Sequence, residues 1–185
     1  MGYSLAEAAR RRCWQVTLVS GPVSLAPPAG VDVRRVTSAL EMLDACLELL
    51  PHVDGVIAVA AVADYRPASR FAGKLHRTSD PLHLDLVPNP DILAEIGRRK
   101  TRQWTVGFAV ESDDPIDRAR AKLSSKKCDA IVVNLRDAME SANTQIQLLD
   151  GLGKVEFRFD GSKEQAAEQI IAWIEMHLAS PHTSG

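Results

Sequence analysis

Several chemistries have no residues to carry them in this sequence. Its three cysteines, Cys13, Cys46 and Cys128, are odd in number and widely spaced, so no pair of them suggests a metal-ligand set or a redox couple. Each lies in or beside an apolar segment and is expected as a buried or half-buried thiol in a reducing, cytoplasmic setting. The five histidines, His52, His76, His83, His177 and His182, show no ligand spacing, which argues against a histidine-built metal centre. A Gly-x-Gly-x-x-Gly loop is absent, and with it the fingerprint of a dinucleotide-dependent oxidoreductase. A Gly-x-Ser-x-Gly elbow is absent too. No apolar run approaches the roughly 20 residues that span a bilayer, and residues 1–12 lack the pattern of a secretory leader. Charge of one sign is not in surplus either. The 22 basic and 24 acidic residues leave a net charge of −2, which argues against nucleic acid or an anionic membrane as the main partner.

What is present suits a single globular domain. The chain has 185 residues, 45% of them hydrophobic, enough to bury one sizeable core. Apolar spacing predicts helices over 1–12, 38–50, 90–100, 115–127 and 163–178. Ser38 and Ser162 are expected N-caps, with Glu41 and Gln165 as their capping-box partners. Asn89 is expected to cap the third helix, with Pro90 in its first position. β-rich runs over 14–20, 55–62, 82–87, 105–110 and 129–134 read as strands, and 144–149 and 154–159 as a hairpin about Asp150 to Gly153. Residues 64–80 read as a polar loop.

Strands alternating with helices predict an α/β domain over 1–180, with 181–185 a tail. The expected sheet is doubly wound, Rossmann-like and mostly parallel, with a C-terminal β-hairpin and helix. Such a domain opens with a strand and a Gly-rich loop. Here the first helix stands at residue 1 without them, so the first strand is expected upstream. Right-handed crossovers place the strand C-termini on one edge, where open sheets bind ligands. The segments at that edge are 20–22, 63–65, 111–112 and Asn134.

Four constellations could carry chemistry there. The first is Ala60-Ala61-Val62-Ala63-Asp64-Tyr65-Arg66-Pro67, where small residues let a ligand approach the backbone and an acid just past them can bind a ribose hydroxyl or a metal. Tight packing before a solvated turn would look the same. In the second, Lys74 could neutralise a reacting phosphoryl group, or be an ordinary surface lysine. In the third, the helix start at Asn89, Pro90, Asp91, Ile92 and Leu93 offers free N–H groups to an anion, or is simple capping, which alone would explain Asn89 and Pro90. In the fourth, Lys122 and Lys126 are four residues apart on one helix and point the same way, as phosphate-binding cations or as a solvated face. Phe108, near a strand end, could stack on a nucleobase or belong to the core.

Taken in order, these segments resemble the ligase half of the bacterial bifunctional phosphopantothenoylcysteine decarboxylase/phosphopantothenate–cysteine ligase. MGYSLAEAARRRCWQVTLVSGPVSL resembles that family's first helix and second strand. AAVADYRP resembles its nucleotide signature, GKLHR its lysine flap, NPDIL its helix start, and VGFAVES with AKLSSKKCD its last nucleotide-contacting stretch. The flap departs from the family in keeping only Lys74 and Arg77. The resemblance implies a ligase unrelated to ATP-grasp enzymes that acts in coenzyme A biosynthesis. It would form an acyl-cytidylate from phosphopantothenate and CTP with Mg2+, then join cysteine to it. By position it implies that Ala60, Ala61, Asp64, Lys74, Pro90, Asp91, Ile92, Leu93, Phe108, Lys122 and Lys126 bind the nucleotide, with Lys74 catalytic. It further implies a homodimer, helped by the strand near 82–87, and a fused or associated decarboxylase. The alternative within the family is an inactive nucleotide-binding remnant or dimer partner.

Overall fold

The structure is a computed structural model that describes residues 1–69, 73–74, 82–111, 115–135 and 143–179. A five-stranded sheet forms its centre, in the order β3 (Gly55–Ala58), β6 (Trp104–Glu111), β7 (Ala130–Leu135), β8 (Asn143–Asp150), β9 (Val155–Ser162). The first three strands are parallel and the last two form the expected antiparallel hairpin. Asp150 shapes the hairpin turn by accepting the N–H groups of Leu152 and Lys154, and Gly153 supplies a φ of +77°.

Successive side chains of a strand point to opposite faces, and the core divides accordingly. Val106, Ala130, Val132, Ile146 and Leu148 pack on one side with α1 (Gly2–Arg11) and α5 (Lys163–His177). Ala109, Ile131, Val133 and Leu149 pack on the other with Ala119 and Leu123 of α4 (Pro115–Lys126). β7, covered on both faces, is accordingly a nearly continuous apolar run. Small residues bring α1 close to α5: Ala8 and Ala9 share a cluster with Ala166 and Ala167. The capping box at the start of α5 forms as expected between Ser162 and Gln165.

Outside this sheet the pairing is local. β1 (Thr17–Ser20) and β2 (Asp32–Arg35) make a separate parallel pair. The composition of β2 did not announce it, because three of its four residues are exposed and it has little apolar alternation. α2 (Ala39–Leu49) follows, with Ser38 accepting the Glu41 N–H at 3.2 Å.

Three expectations need correction. The strand over 55–62 stops at Ala58 and is half-buried rather than enclosed. Among the described residues β3 pairs only with β6, so one of its edges has no strand beside it. The strand over 82–87 is reduced to β5 (Leu86–Pro88), antiparallel to β4 (Tyr65–Pro67), which lies in the segment read as loop. Cys13 is exposed, because it turns the chain at the end of α1 with a φ of +61°. Cys46 is half-buried and Cys128 buried, as expected. The calls at His76, Arg77, Ser112 and the tail lie outside the described residues. No described helix is long and apolar enough to cross a membrane.

Candidate functional site

The C-terminal ends of β3, β6 and β7 share one edge, and the chain leaving β3 passes along it. Ala60, Ala61 and Asp64 are exposed there, beyond Ala58, which pairs with Gly107. The end of this loop is anchored by Asn89, whose N–H donates to the Asp64 carbonyl at 2.7 Å. The Asn89 Nδ2 donates to the Ala63 carbonyl at 2.8 Å. Asn89 is therefore occupied and does not cap α3, contrary to expectation. Asp91 is the cap, its Oδ1 accepting the Ala94 N–H at 3.0 Å, and α3 runs Ile92–Arg99.

The other oxygen of Asp91, Oδ2, meets Lys126 Nζ at 3.2 Å. The start of α3 and the end of α4 are thus tied by an ion pair. Gly97 allows the close approach of the two helices, since a Cβ there would fall 2.0 Å from the Lys126 carbonyl oxygen. Gly107 does the same for α3 and β6, where a Cβ would fall 2.9 Å from Leu93 Cδ2. Pro90, Ile92 and Leu93 are half-buried, as is Lys122, one turn before Lys126 on α4. Phe108 is half-buried with its ring against the α1 and α5 cluster.

Two segments expected apart in sequence, the loop carrying Ala60, Ala61 and Asp64 and the start of α3, are thus brought together, with Lys126 added from α4. Lys74 is exposed, and no described contact ties it to them. Sequence reasoning had Arg66 and Asn89 within its motifs but missed their pairing and the clamp that Asn89 makes, and it missed Gly97. Gly97 too left a trace: a glycine inside a helix, costing about 1 kcal/mol against alanine, invites a packing reason.

Burial pushes the Cys128 thiol up to about 11, against the pull of the Lys100 and Lys126 charges, so it stays protonated at neutral pH and is a poor nucleophile. Among the described residues no three His, Cys, Asp or Glu side chains form a group that could hold a metal ion.

The DNA/pantothenate metabolism flavoprotein C-terminal domain family matches residues 1–178. The chain is 42% identical over 181 residues to the coenzyme A biosynthesis bifunctional protein CoaBC of Haemophilus influenzae, covering 96% of this chain and 45% of that protein. It is 47% identical over 137 residues to the CoaBC protein of Vibrio vulnificus, covering 72% of this chain and 34% of that one. The chain therefore spans less than half the length of these curated relatives. The crystal structure of the C-terminal domain of a CoaBC protein matches with a TM-score of 0.82 at 34% identity, over 96% of this chain and 82% of that one.

Proposed function

The chain belongs to the DNA/pantothenate metabolism flavoprotein C-terminal domain family, and from that premise we propose that it serves the ligase reaction of coenzyme A biosynthesis, joining cysteine to phosphopantothenate with CTP. The observation that supports this most is the connected cluster at the sheet edge: Asp64 and Ala63 bound to Asn89, and Asp91 bound to Lys126.

In this reading the phosphopantothenate carboxylate attacks the α-phosphorus of CTP. Pyrophosphate leaves and an acyl-cytidylate forms. The cysteine amine then attacks the acyl carbon, CMP leaves, and the amine gives up a proton as the amide forms. Ala60 and Ala61 present no side chain beyond Cβ, so the nucleotide can lie against the backbone. The Asp64 carboxylate accepts hydrogen bonds from ribose hydroxyls. The first N–H groups of α3, near Ile92 and Leu93, face the phosphates. Lys126 and Lys122 balance the phosphate charge, and Lys74 stabilises the reacting phosphoryl group. Phe108 borders the base. Asp91 is already committed to its helix and to Lys126. Mg2+ would enter with CTP and neutralise the triphosphate.

The full chain, given CTP, phosphopantothenate and cysteine, should release pyrophosphate and form phosphopantothenoylcysteine, with CTP preferred to ATP. A flat pyrophosphate assay alongside CTP binding by calorimetry would overturn the ligase reading in favour of an inactive nucleotide binder.

A homodimer is part of the same proposal. Residues opposite each other in β4 and β5 lie on one face, so Tyr65, Pro67, Leu86 and Pro88 share a side. Tyr65 and Leu86 are 61% and 57% exposed, and Leu82 and Leu84, at alternate positions before Leu86, exceed 60%. A second copy would cover this apolar stripe. Leu84→Glu should therefore halve the mass seen by sedimentation; an unchanged dimer would remove this surface from the interface. A decarboxylase partner, fused or associated, and a cytoplasmic place of work belong to the same proposal; that the relatives are bifunctional proteins more than twice this chain's length is in keeping with the first.

A further inference from the structure

Asn89 lies outside the residues assigned to the nucleotide, yet it joins the two walls that carry them. Through its backbone N–H and Nδ2 it holds the carbonyls of Asp64 and Ala63, the last residues of the loop bearing Ala60 and Ala61. One residue later begins the stretch from Pro90 to Leu93. The orientation of its side-chain amide is also set. Arg66 donates to the Pro88 carbonyl and, at 3.4 Å, to Asn89 Oδ1, which leaves Nδ2 facing Ala63. Arg66 can do this because it pairs with Val87 on the half-buried face of the β4–β5 ribbon, opposite the exposed face with Tyr65 and Leu86.

We propose that Asn89, oriented by Arg66, is a positioning residue that sets the separation between the loop over 59–64 and the start of α3, so that both walls meet one bound nucleotide. The inference rests on the nucleotide reading above. Misplacing either wall weakens the nucleotide's binding before any bond is made, so the effect belongs in KM for CTP rather than in kcat.

Asn89→Asp is the informative variant. It keeps the size, the backbone donor and the acceptor for Arg66, but turns an oxygen toward the Ala63 carbonyl where a donor stood. In the full chain it should raise the KM and Kd for CTP about tenfold, close to the net worth of one hydrogen bond at about 1.4 kcal/mol. kcat should stay within about twofold and the KM for cysteine unchanged. Amide hydrogen exchange over 60–64 should quicken in the absence of nucleotide. Wild-type CTP affinity with wild-type exchange in Asn89→Asp would overturn the positioning role alone. So would a fall in kcat and in every substrate's affinity together, tracking a lowered Tm. A wild-type protein that binds CTP but releases no pyrophosphate would overturn the ligase reading alone, with the Kd and exchange results still deciding the role of Asn89. A wild-type protein that binds no CTP would overturn both.

Discussion

Gly97→Ala should lower the melting temperature by about 6–12 °C, from a loss of roughly 3 kcal/mol. The sign makes this result informative. Alanine inside a helix ordinarily stabilises it over glycine by about 1 kcal/mol, so a loose contact between α3 and α4 would give a rise. At Gly97 the added Cβ would come 2.0 Å from the Lys126 carbonyl oxygen and 3.0 Å from the carbonyl carbon. Both are backbone atoms, which cannot rotate away as a side chain would. The helices must part, and the nearby Asp91–Lys126 ion pair, 3.2 Å long, is stretched with them. CTP affinity should therefore fall along with stability. Differential scanning calorimetry showing an unchanged or raised Tm would show that the two helices do not need this close crossing.

The contrast between Ser162 and Asn89 shows where sequence reasoning succeeds. Ser162 and Gln165 are three residues apart and complete each other's hydrogen bonds, so the local pattern contains the whole interaction. Asn89 has the composition of a cap, but its amide is claimed by Ala63, 26 residues away. No window of sequence contains both partners, and Asp91 takes the cap instead. Strands followed the same division. β6 and β7 are buried on both faces and show it as continuous apolar runs. β2 is mostly exposed and carries no such run, while β3 ends four residues before its apolar stretch does. Within the site, Lys126 was legible as one of two cations on a helix face, but its partner Asp91 on another helix was not. The reach of Lys74 depends on three-dimensional arrangement in the same way.

Lys74→Gln in the full chain is expected to cut kcat about a hundredfold, or about 2.7 kcal/mol of transition-state stabilisation, the scale seen when one preorganised donor to a developing charge is removed. The Kd for CTP should change less than about threefold. Two features separate Lys74 from the α4 lysines. Lys126 is held by Asp91 in the free protein, on a helix packed against the sheet, and in the ligase reading it would meet the phosphates of substrate and transition state alike. Removing it costs ground-state binding. Lys74 is exposed, with no described contact to the cluster, and in the ligase reading it reaches the nucleotide only as the phosphoryl group reacts. Its contribution is then realised as the phosphoryl group reacts, and interactions of that kind appear in kcat. Glutamine keeps a hydrogen-bond donor, on a side chain one atom shorter, while deleting the charge, which isolates most of the electrostatic part. Single-turnover measurement of acyl-cytidylate formation, alongside CTP titration by calorimetry, makes the comparison. An unchanged rate would remove Lys74 from the mechanism, and a matching loss in CTP affinity would make it an ordinary phosphate-binding lysine.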